Sequence, residues 1–422
     1  MMLKKVFFSV LIVLSVTSCT RAKLTRTLSK KITTSFHGNQ FTGIYIYDVH
    51  ADKVLYNHNG EKYFTPASNT KIFTLFTGLT LLSDSIPAFK YAVQKDTITL
   101  QGTGDPTFLH NYFKDSTALK MIDTYAKAKI IINNTTDKRY GPGWAWEDFD
   151  SYFSAERSAF PIYGNVITVK NEDSILVQPA YYQNKIKITE KFYGRDEYKN
   201  NFYFRKDRNE ETEIPMIIDA ALTATLWNEI SPNKVSLIAS SEIKPSTIAY
   251  SVPSDSLYRR MMEISDNFLA EQILILASST LSDTLSSSNV RKHILENQLI
   301  DLKQQPRWVD GSGLSRYNLF SPMSFVEVLT KMYKTFPQER LFNLFPVGGE
   351  FGTIKNWYAG TERPYVFAKT GTVGNNHNIS GYLLTNSNKI LVFSFMNNHF
   401  KNSNDEIRAQ MQNTFEWLRD HY

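Results

Sequence analysis

The stretch Ile72-Phe73-Thr74-Leu75-Phe76-Thr77-Gly78-Leu79-Thr80-Leu81-Leu82 is apolar nearly all round and too long for a typical strand. It reads as a helix buried on every side, entered near Ser68 just after Pro66 has stopped the preceding strand. Such a helix needs a sizeable core around it. The chain of 422 residues can supply one, since 42% of it is hydrophobic and 21% charged. That is ordinary globular composition, and it excludes a disordered, collagen-like or coiled-coil protein. At about 150 residues per domain, the length suggests two or three domains. The formal charge is +6 and the pI about 9.0, yet no dense Lys/Arg block marks a nucleic-acid surface. The single cysteine excludes a disulfide framework within one chain and any cysteine-rich metal site.

That cysteine closes a leader. Met-Met-Leu-Lys-Lys is followed by an apolar run from Val6 to Val16 and then by Thr17-Ser18-Cys19. A basic start, a short apolar run and small residues are the three parts of a secretory signal, and the run is well under the ~20 residues of a membrane-spanning helix. Val16-Thr17-Ser18 before the cysteine resembles a bacterial lipobox, which makes residues 1–18 a lipoprotein signal peptide and Cys19 the lipidated first residue. Residues 19–34, polar and basic, read as a tether. A lone cysteine used for lipid suits an oxidising envelope compartment. Thr20 is not the acidic residue linked to inner-membrane retention, so the expected place is the outer membrane, facing the periplasm.

Further along, Thr42–Tyr47 and Val54-Leu55-Tyr56 read as strands around the turn chemistry of Asp48–Asp52. From about 90 to 250, short β-rich runs alternate with charged or Asn-rich turns, and helical spacing is mostly absent except around Ile217–Asn228. Helical spacing returns over Leu257–Ser278, broken at Ser265-Asp266-Asn267. Ser321-Pro322 looks like a cap followed by proline at the first helical position. Ile379–Thr385 and Ile390–Met396 flank a hairpin turn, and a last helix runs from about Asp405 to Asp420. This order predicts an α+β fold, an antiparallel sheet flanked by helices. Its discontinuous catalytic domain covers 35–89 and 251–422, with a mainly β insert at 90–250.

Three short motifs carry the chemistry: Ser68-Asn69-Thr70-Lys71, Ser265-Asp266-Asn267 and Lys369-Thr370-Gly371-Thr372. Ser-x-x-Lys and Ser-x-Asn each recur elsewhere, so order and context give the set its weight. Ser68 and Lys71 are spaced to share one face at a helix start. The helix terminus and the apolar neighbours both disfavour a protonated Lys71, and a neutral amine can take the serine proton. Ser265 offers a second hydroxyl and Asn267 an amide to hold a substrate backbone. Lys369 places positive charge near Lys71 and a carboxylate, and Gly371 permits close backbone approach. Gly102-Thr103-Gly104-Asp105-Pro106-Thr107 lacks a dinucleotide fingerprint's third glycine. Asp310-Gly311-Ser312-Gly313 is not a Gly-x-Ser-x-Gly elbow. Both read as turns. No His-Glu-x-x-His or other close histidine pair marks a zinc site.

The three motifs resemble the active-site set of penicillin-binding proteins and serine β-lactamases. Longer strings narrow the resemblance: Ser265-Asp266-Asn267-Phe268-Leu269-Ala270-Glu271-Gln272, Asp310-Gly311-Ser312-Gly313-Leu314-Ser315-Arg316-Tyr317-Asn318, Gly102-Thr103-Gly104-Asp105-Pro106-Thr107 and Gly143-Trp144-Ala145-Trp146-Glu147-Asp148. Together they are similar to the penicillin-binding protein 4 type of D-alanyl-D-alanine carboxypeptidase/endopeptidase, peptidase family S13, over nearly the whole mature chain. The long interval between Ser68 and Ser265, foreign to compact β-lactamases, matches an insert that this family carries.

The resemblance implies a β-lactamase/transpeptidase-like fold and a penicillin-sensitive serine DD-peptidase acting on peptidoglycan stem peptides. Ser68 would be acylated and Lys71 its general base. Ser265 would relay a proton to the leaving amine, and Asn267 would hold the substrate amide. Lys369 with Thr370 or Thr372 would bind the terminal carboxylate, and the backbone N–H groups of Ser68 and Thr372 would form the oxyanion hole. It implies β-lactam antibiotics as inhibitors, no metal or cofactor and no nucleic-acid partner. Two alternatives stay open from the residues. A β-lactamase is one, although the long insert is foreign to class A enzymes. A catalytically inactive wall-binding lipoprotein is the other.

Overall fold

The computed structural model describes residues 25–36, 40–172, 174–190, 192–208 and 210–422, so the leader and Cys19 lie outside the described residues. The chain divides into two compact units, one made of residues 1–69, 302–307 and 319–422 and the other of residues 70–301 and 308–318. The fold is α+β in character, as the order of the sequence patterns predicts.

The first unit is built on a five-stranded antiparallel sheet in the order Val366–Val373, Asn376–Leu384, Ile390–Asn398, Phe41–Asp48, Lys53–His58. The first strand of the chain thus pairs with the last. All nine residues of Ile390–Asn398 are buried, as expected of a central strand covered on both faces. Alternation sends Ile379 and Leu383 to one face and Tyr382 to the other. On the first face, Ile44, Ile46, Phe393 and Phe395 pack with Met411, Phe415 and Leu418 of the terminal helix Asn404–His421. On the second, the Tyr382 hydroxyl donates to the Leu329 carbonyl (2.8 Å) in helix Pro322–Thr335. That helix starts as its sequence predicts, with Ser321 accepting from Ser324 N and Pro322 in the first turn.

The expected tether is different from residue 25 onward, where residues 25–35 form a helix. Leu28, Ile32 and Phe36 recur every four residues on one side of it and are buried in the core just described. The Phe36 ring meets Phe395 edge-on at 4.9 Å. Apolar spacing within a basic, polar stretch therefore decides the local structure.

The second unit holds the helices Lys71–Leu81, Ser254–Glu263 and Asn267–Ser278. It also holds a mixed five-stranded sheet in the order Val235–Ile238, Lys127–Ile131, Thr97–Gly102, Ser85–Gln94, Thr247–Pro253, and two three-stranded sheets. Helix Ala220–Ile230 lies close to the Ile217–Asn228 expectation, capped by Asp219 on Leu222 N. A short helix, Thr117–Asp123, was not legible, since only Ala118 and Ile122 of its seven residues are buried. The aromatic centre of this unit is the stack of Phe108 on Trp227 (5.0 Å), with Phe160 edge-on to both.

Candidate active site

In the second unit the buried helix Lys71–Leu81 presents Lys71 at its first position, with no exposed surface. The Lys71 Nζ donates to Asn267 Oδ1 at 2.7 Å and to the Ser312 carbonyl at 2.8 Å. One turn on, Thr74 Oγ1 donates to the Gly311 carbonyl at 2.7 Å, fastening the same helix face to the same loop. Asn267 is held in turn, its Nδ2 donating to the Phe153 carbonyl at 3.0 Å. It opens helix Asn267–Ser278, which Asp266 caps by accepting from Leu269 N. Ser265, two residues ahead, sits at φ 62°, a left-handed conformation uncommon for any residue but glycine.

The loop that offers the Ser312 carbonyl is built around two buried carboxylates. Asp310 accepts from Gly313 N, Ser315 N, Asn318 Nδ2 and Trp144 Nε1. Glu271 Oε1 accepts from Gly311 N (2.9 Å) and Ser312 N (2.8 Å), while its Oε2 meets Arg157 at 3.3 Å. At Gly311 a Cβ would fall 2.5 Å from the Ala270 carbonyl oxygen, so the loop reaches helix Asn267–Ser278 because no side chain intervenes.

This setting fixes the electrostatics of Lys71. Burial pushes its pKa down to about 8, against the pull of Asp266, Asp310 and Glu271, which favour the ammonium. At pH 7 roughly a tenth of the amine is then neutral, far more than for a solvated lysine. Such an amine can accept a proton from a hydroxyl.

The first unit carries the other motif residues. Ser68 lies in the single helical turn Ala67–Thr70 and is half-buried. Ala67 just before it takes φ 48°, a left-handed strain on the order of 1–2 kcal/mol that the surrounding contacts must hold. They are visible. Asn378 Nδ2 donates to the carbonyls of Thr65 and Pro66, Asn398 Oδ1 accepts from Thr65 N, and Asn69 Nδ2 donates to Ser380 Oγ at 2.7 Å. The serine turn is thus pinned to the sheet by polar side chains of its strands.

Strand Val366–Val373 forms the edge of that sheet and carries Lys369, Thr370, Gly371 and Thr372. A Cβ on Gly371 would lie 2.4 Å from the Pro66 carbonyl oxygen, 2.7 Å from Asn69 N and 3.0 Å from Ser68 N. Glycine therefore lets the serine turn and the edge strand meet backbone to backbone. Lys369 is fully buried, with Nζ donating to the Thr370 carbonyl. Thr370 Oγ1 donates to Thr353 Oγ1, and Thr372 Oγ1 lies 2.7 Å from His377 Nδ1.

Lys71 and Asn267 are therefore in direct contact, and Ser68 shares its unit with the 369–372 strand. Asp266, Glu271, Asp310, the Ser312 carbonyl, Asn378 and Ser380 were not singled out from sequence. Asn378 and Ser380 are detectable as polar residues inside an apolar strand, whereas Asp310-Gly311-Ser312-Gly313 reads as a turn within a string that carries the family resemblance, with no role assigned to its residues. Among the described residues no cluster of His, Cys, Asp or Glu could hold a metal ion, and no helix is long and apolar enough to cross a membrane.

Comparison with known proteins agrees with this fold. The family model of the D-Ala-D-Ala carboxypeptidase 3 (S13) family matches residues 24–190 and 227–420. The D-alanyl-D-alanine carboxypeptidase DacB of Haemophilus influenzae is 23% identical over 411 residues, covering 83% of this chain and 84% of its own. The crystal structure of penicillin binding protein 4 from Haemophilus influenzae superposes with a TM-score of 0.74 at 18% identity, over 93% of this chain and 99% of that one. A predatory endopeptidase of Bdellovibrio bacteriovorus, solved acylated by penicillin G, gives 0.51 at 16% identity, over 90% and 93% of the two chains. With Lys71 buried and the Ser68 turn pinned to the sheet, this chain belongs to the D-Ala-D-Ala carboxypeptidase 3 (S13) family of serine peptidases.

Proposed function

We propose that this protein hydrolyses the terminal D-Ala-D-Ala bond of peptidoglycan stem peptides, and D-Ala cross-links, through an ester on Ser68. The observation that carries the reading is the buried Lys71, held between Asn267 and the Ser312 carbonyl and shifted toward neutrality. In the first step Ser68 Oγ attacks the carbonyl carbon of the penultimate D-alanine while Lys71 takes the hydroxyl proton. The C–N bond then breaks, and the leaving amine receives a proton by way of Ser265. Water attacks the ester while Lys71 takes its proton, and Lys71 passes that proton to Ser68 Oγ as the ester C–O bond breaks, restoring the free hydroxyl. Backbone N–H groups of Ser68 and Thr372 stabilise the oxyanion in both steps. Lys369, Thr370 and Thr372 receive the terminal carboxylate. Asn267 orients Lys71 through its oxygen, and it is the group assigned to the substrate amide.

The setting we infer is the cell envelope. Residues 1–18 are read as a lipoprotein signal and Cys19 as the anchor, placing the enzyme at the outer membrane on its periplasmic side. Residues 90–250 are read as an insert within the catalytic framework.

Incubation of the purified protein with fluorescent penicillin, beside Ser68→Ala and followed by mass spectrometry, tests the assignment. A stable adduct on Ser68, missing from the variant, is the expected result. Undiminished labelling of Ser68→Ala refutes the site, and rapid turnover of penicillin without an adduct identifies a β-lactamase instead.

A further inference from the structure

The sheet of the first unit carries a row of polar side chains that the proposed chemistry uses at one end only. Strand register sets Thr372 opposite His377, His377 opposite Asn397, and Asn397 opposite Thr42. Residues directly opposite one another point to the same face. The row therefore crosses four strands from the exposed Thr372 to three buried partners. Thr372 Oγ1 and His377 Nδ1 are 2.7 Å apart, and Thr42 Oγ1 donates to Asn397 Oδ1 at 2.6 Å. Between these two pairs stand His377 Nε2 and Asn397 Nδ2, both buried and both without a hydrogen-bond partner among the described residues.

The imidazole is neutral across the physiological range. Burial, aided by Arg408 and Lys369, lowers its pKa to about 3. It therefore carries one N–H, and the position of that hydrogen decides what Thr372 can do. On Nε2, it would be a buried donor with no acceptor, facing a register neighbour, Asn397, whose own free group is also a donor. An unmet buried donor is destabilising. On Nδ1, it is satisfied by Thr372 Oγ1, and Nε2 offers only a lone pair on the side of the Asn397 donor. The second arrangement removes one unmet donor.

We infer that His377 is held as the Nδ1–H tautomer, donates to Thr372 Oγ1, and thereby leaves the Thr372 hydroxyl proton free for the substrate's terminal carboxylate. His377 is a positioning residue acting through Thr372. With one lone pair of its oxygen taken by His377, the Thr372 hydroxyl keeps its proton for the substrate, and a carboxylate accepts that proton more strongly than a neutral amide carbonyl does. The inference rests on the carboxylate-binding role proposed for Thr372.

Two-bond 1H–15N correlation on the full-length protein in detergent, with 15N-labelled histidine, reads the tautomer directly. The His377 resonances are assigned by their loss in His377→Asn. A protonated Nδ1 beside an unprotonated Nε2 is expected, and the reverse pattern overturns the inference. Kinetics provide the second readout, using paired thioester acyl donors with and without a terminal carboxylate. His377→Asn keeps an N–H near the Nδ1 position and should retain the preference. His377→Phe should raise KM about tenfold for the carboxylate substrate alone, with kcat little changed. Equal losses on both substrates would mean a purely structural role and sink the idea. Thr372→Val, run alongside, separates the two layers. If it leaves the preference intact, the Thr372 assignment fails and the inference with it. If it abolishes the preference while His377→Phe does not, only the positioning role fails. Should His377→Phe not fold, the tautomer of the wild-type protein still decides.

Discussion

Lys71 Nζ stands 2.7 Å from Asn267 Oδ1, joining two residues 196 positions apart in the chain. The contact lies inside one compact unit, and each partner is the opening residue of its own helix. Two helix starts thus create a cation site that neither helix contains. A buried ammonium is costly, and the amide oxygen and the Ser312 carbonyl offset only part of that cost.

The rate of acylation by penicillin should rise with pH through about 8, because the neutral amine of Lys71 is the reactive form. Asp266 is the strongest of the three carboxylates that hold the lysine protonated. Asp266→Asn keeps a side-chain oxygen for the helix cap but removes that charge, so the rising limb should move to lower pH by up to about one unit. A limb that moves upward, or not at all, contradicts the electrostatic account. Second-order acylation rates between about pH 6 and 10 provide the comparison.

The same shift has a consequence for stability. The folded pKa of Lys71, about 8, is below the 10.5 of a solvated lysine. The unfolded chain therefore binds the proton more readily, and the native state loses stability as pH falls from the higher value to the lower. Relative to Lys71→Met, the wild-type protein should lose on the order of 3 kcal/mol across that window and nothing further below it. Urea unfolding of both proteins at several pH values measures the difference, and a difference independent of pH would show the amine is not buried as described.

Lys71→Ala should remain folded, by circular dichroism, and lose acylation by several orders of magnitude, since nucleophile and base act as a unit. Asn267→Ala should be milder. It removes one hydrogen bond to a charged group, about 1.5–3 kcal/mol and hence roughly 10- to 100-fold in acylation rate. Equal effects of the two substitutions would argue that Asn267 takes part in the proton transfer itself, beyond orienting Lys71 and holding the substrate amide.

Gly371→Ala places a Cβ 2.4 Å from the Pro66 carbonyl oxygen, where backbone on both sides must move. Overpacking of this kind costs about 1–3 kcal/mol, and the displaced turn is the one that carries Ser68. The expected outcome is a lower melting temperature together with loss of penicillin labelling. Full labelling at an unchanged melting temperature would mean that the turn and the strand are not in the close register described.

Glu271→Gln preserves an oxygen for Gly311 N and Ser312 N but leaves the buried Arg157 without its nearest carboxylate. Breaking a buried pair costs about 3–5 kcal/mol, and Asp137, 3.7 Å from the same guanidinium, should recover part of it. A stability loss above about 1 kcal/mol by urea denaturation is therefore expected. If stability is unchanged, the Glu271–Arg157 pair adds nothing to the fold and the buried ion pair described is wrong.

Much of this molecule was written in local pattern. The all-apolar run after Lys71 could only be a buried helix. Ser321-Pro322 announced a helix start, and the paired apolar runs around 386–389 announced a hairpin. The three motifs single out Ser68, Lys71, Asn267 and Lys369 by residue type and spacing alone. Patterns of this kind depend on neighbours within a turn or two, so a linear reading reaches them. The helix at 25–35 was missed because basic and polar residues outnumber the three apolar ones that face the core.

Motif and periodicity along the chain name the candidate reactive groups and the elements that carry them. Their chemical state comes from the folded arrangement. Lys71 is poised near neutrality because the loop at 310–313 and the start of helix Asn267–Ser278 close over it, excluding water and supplying two oxygens. His377 is neutral and turned toward Thr372 because three strands align in one register. Protonation depends on burial and on charges brought together from distant parts of the chain, and spacing along a sequence does not encode those distances.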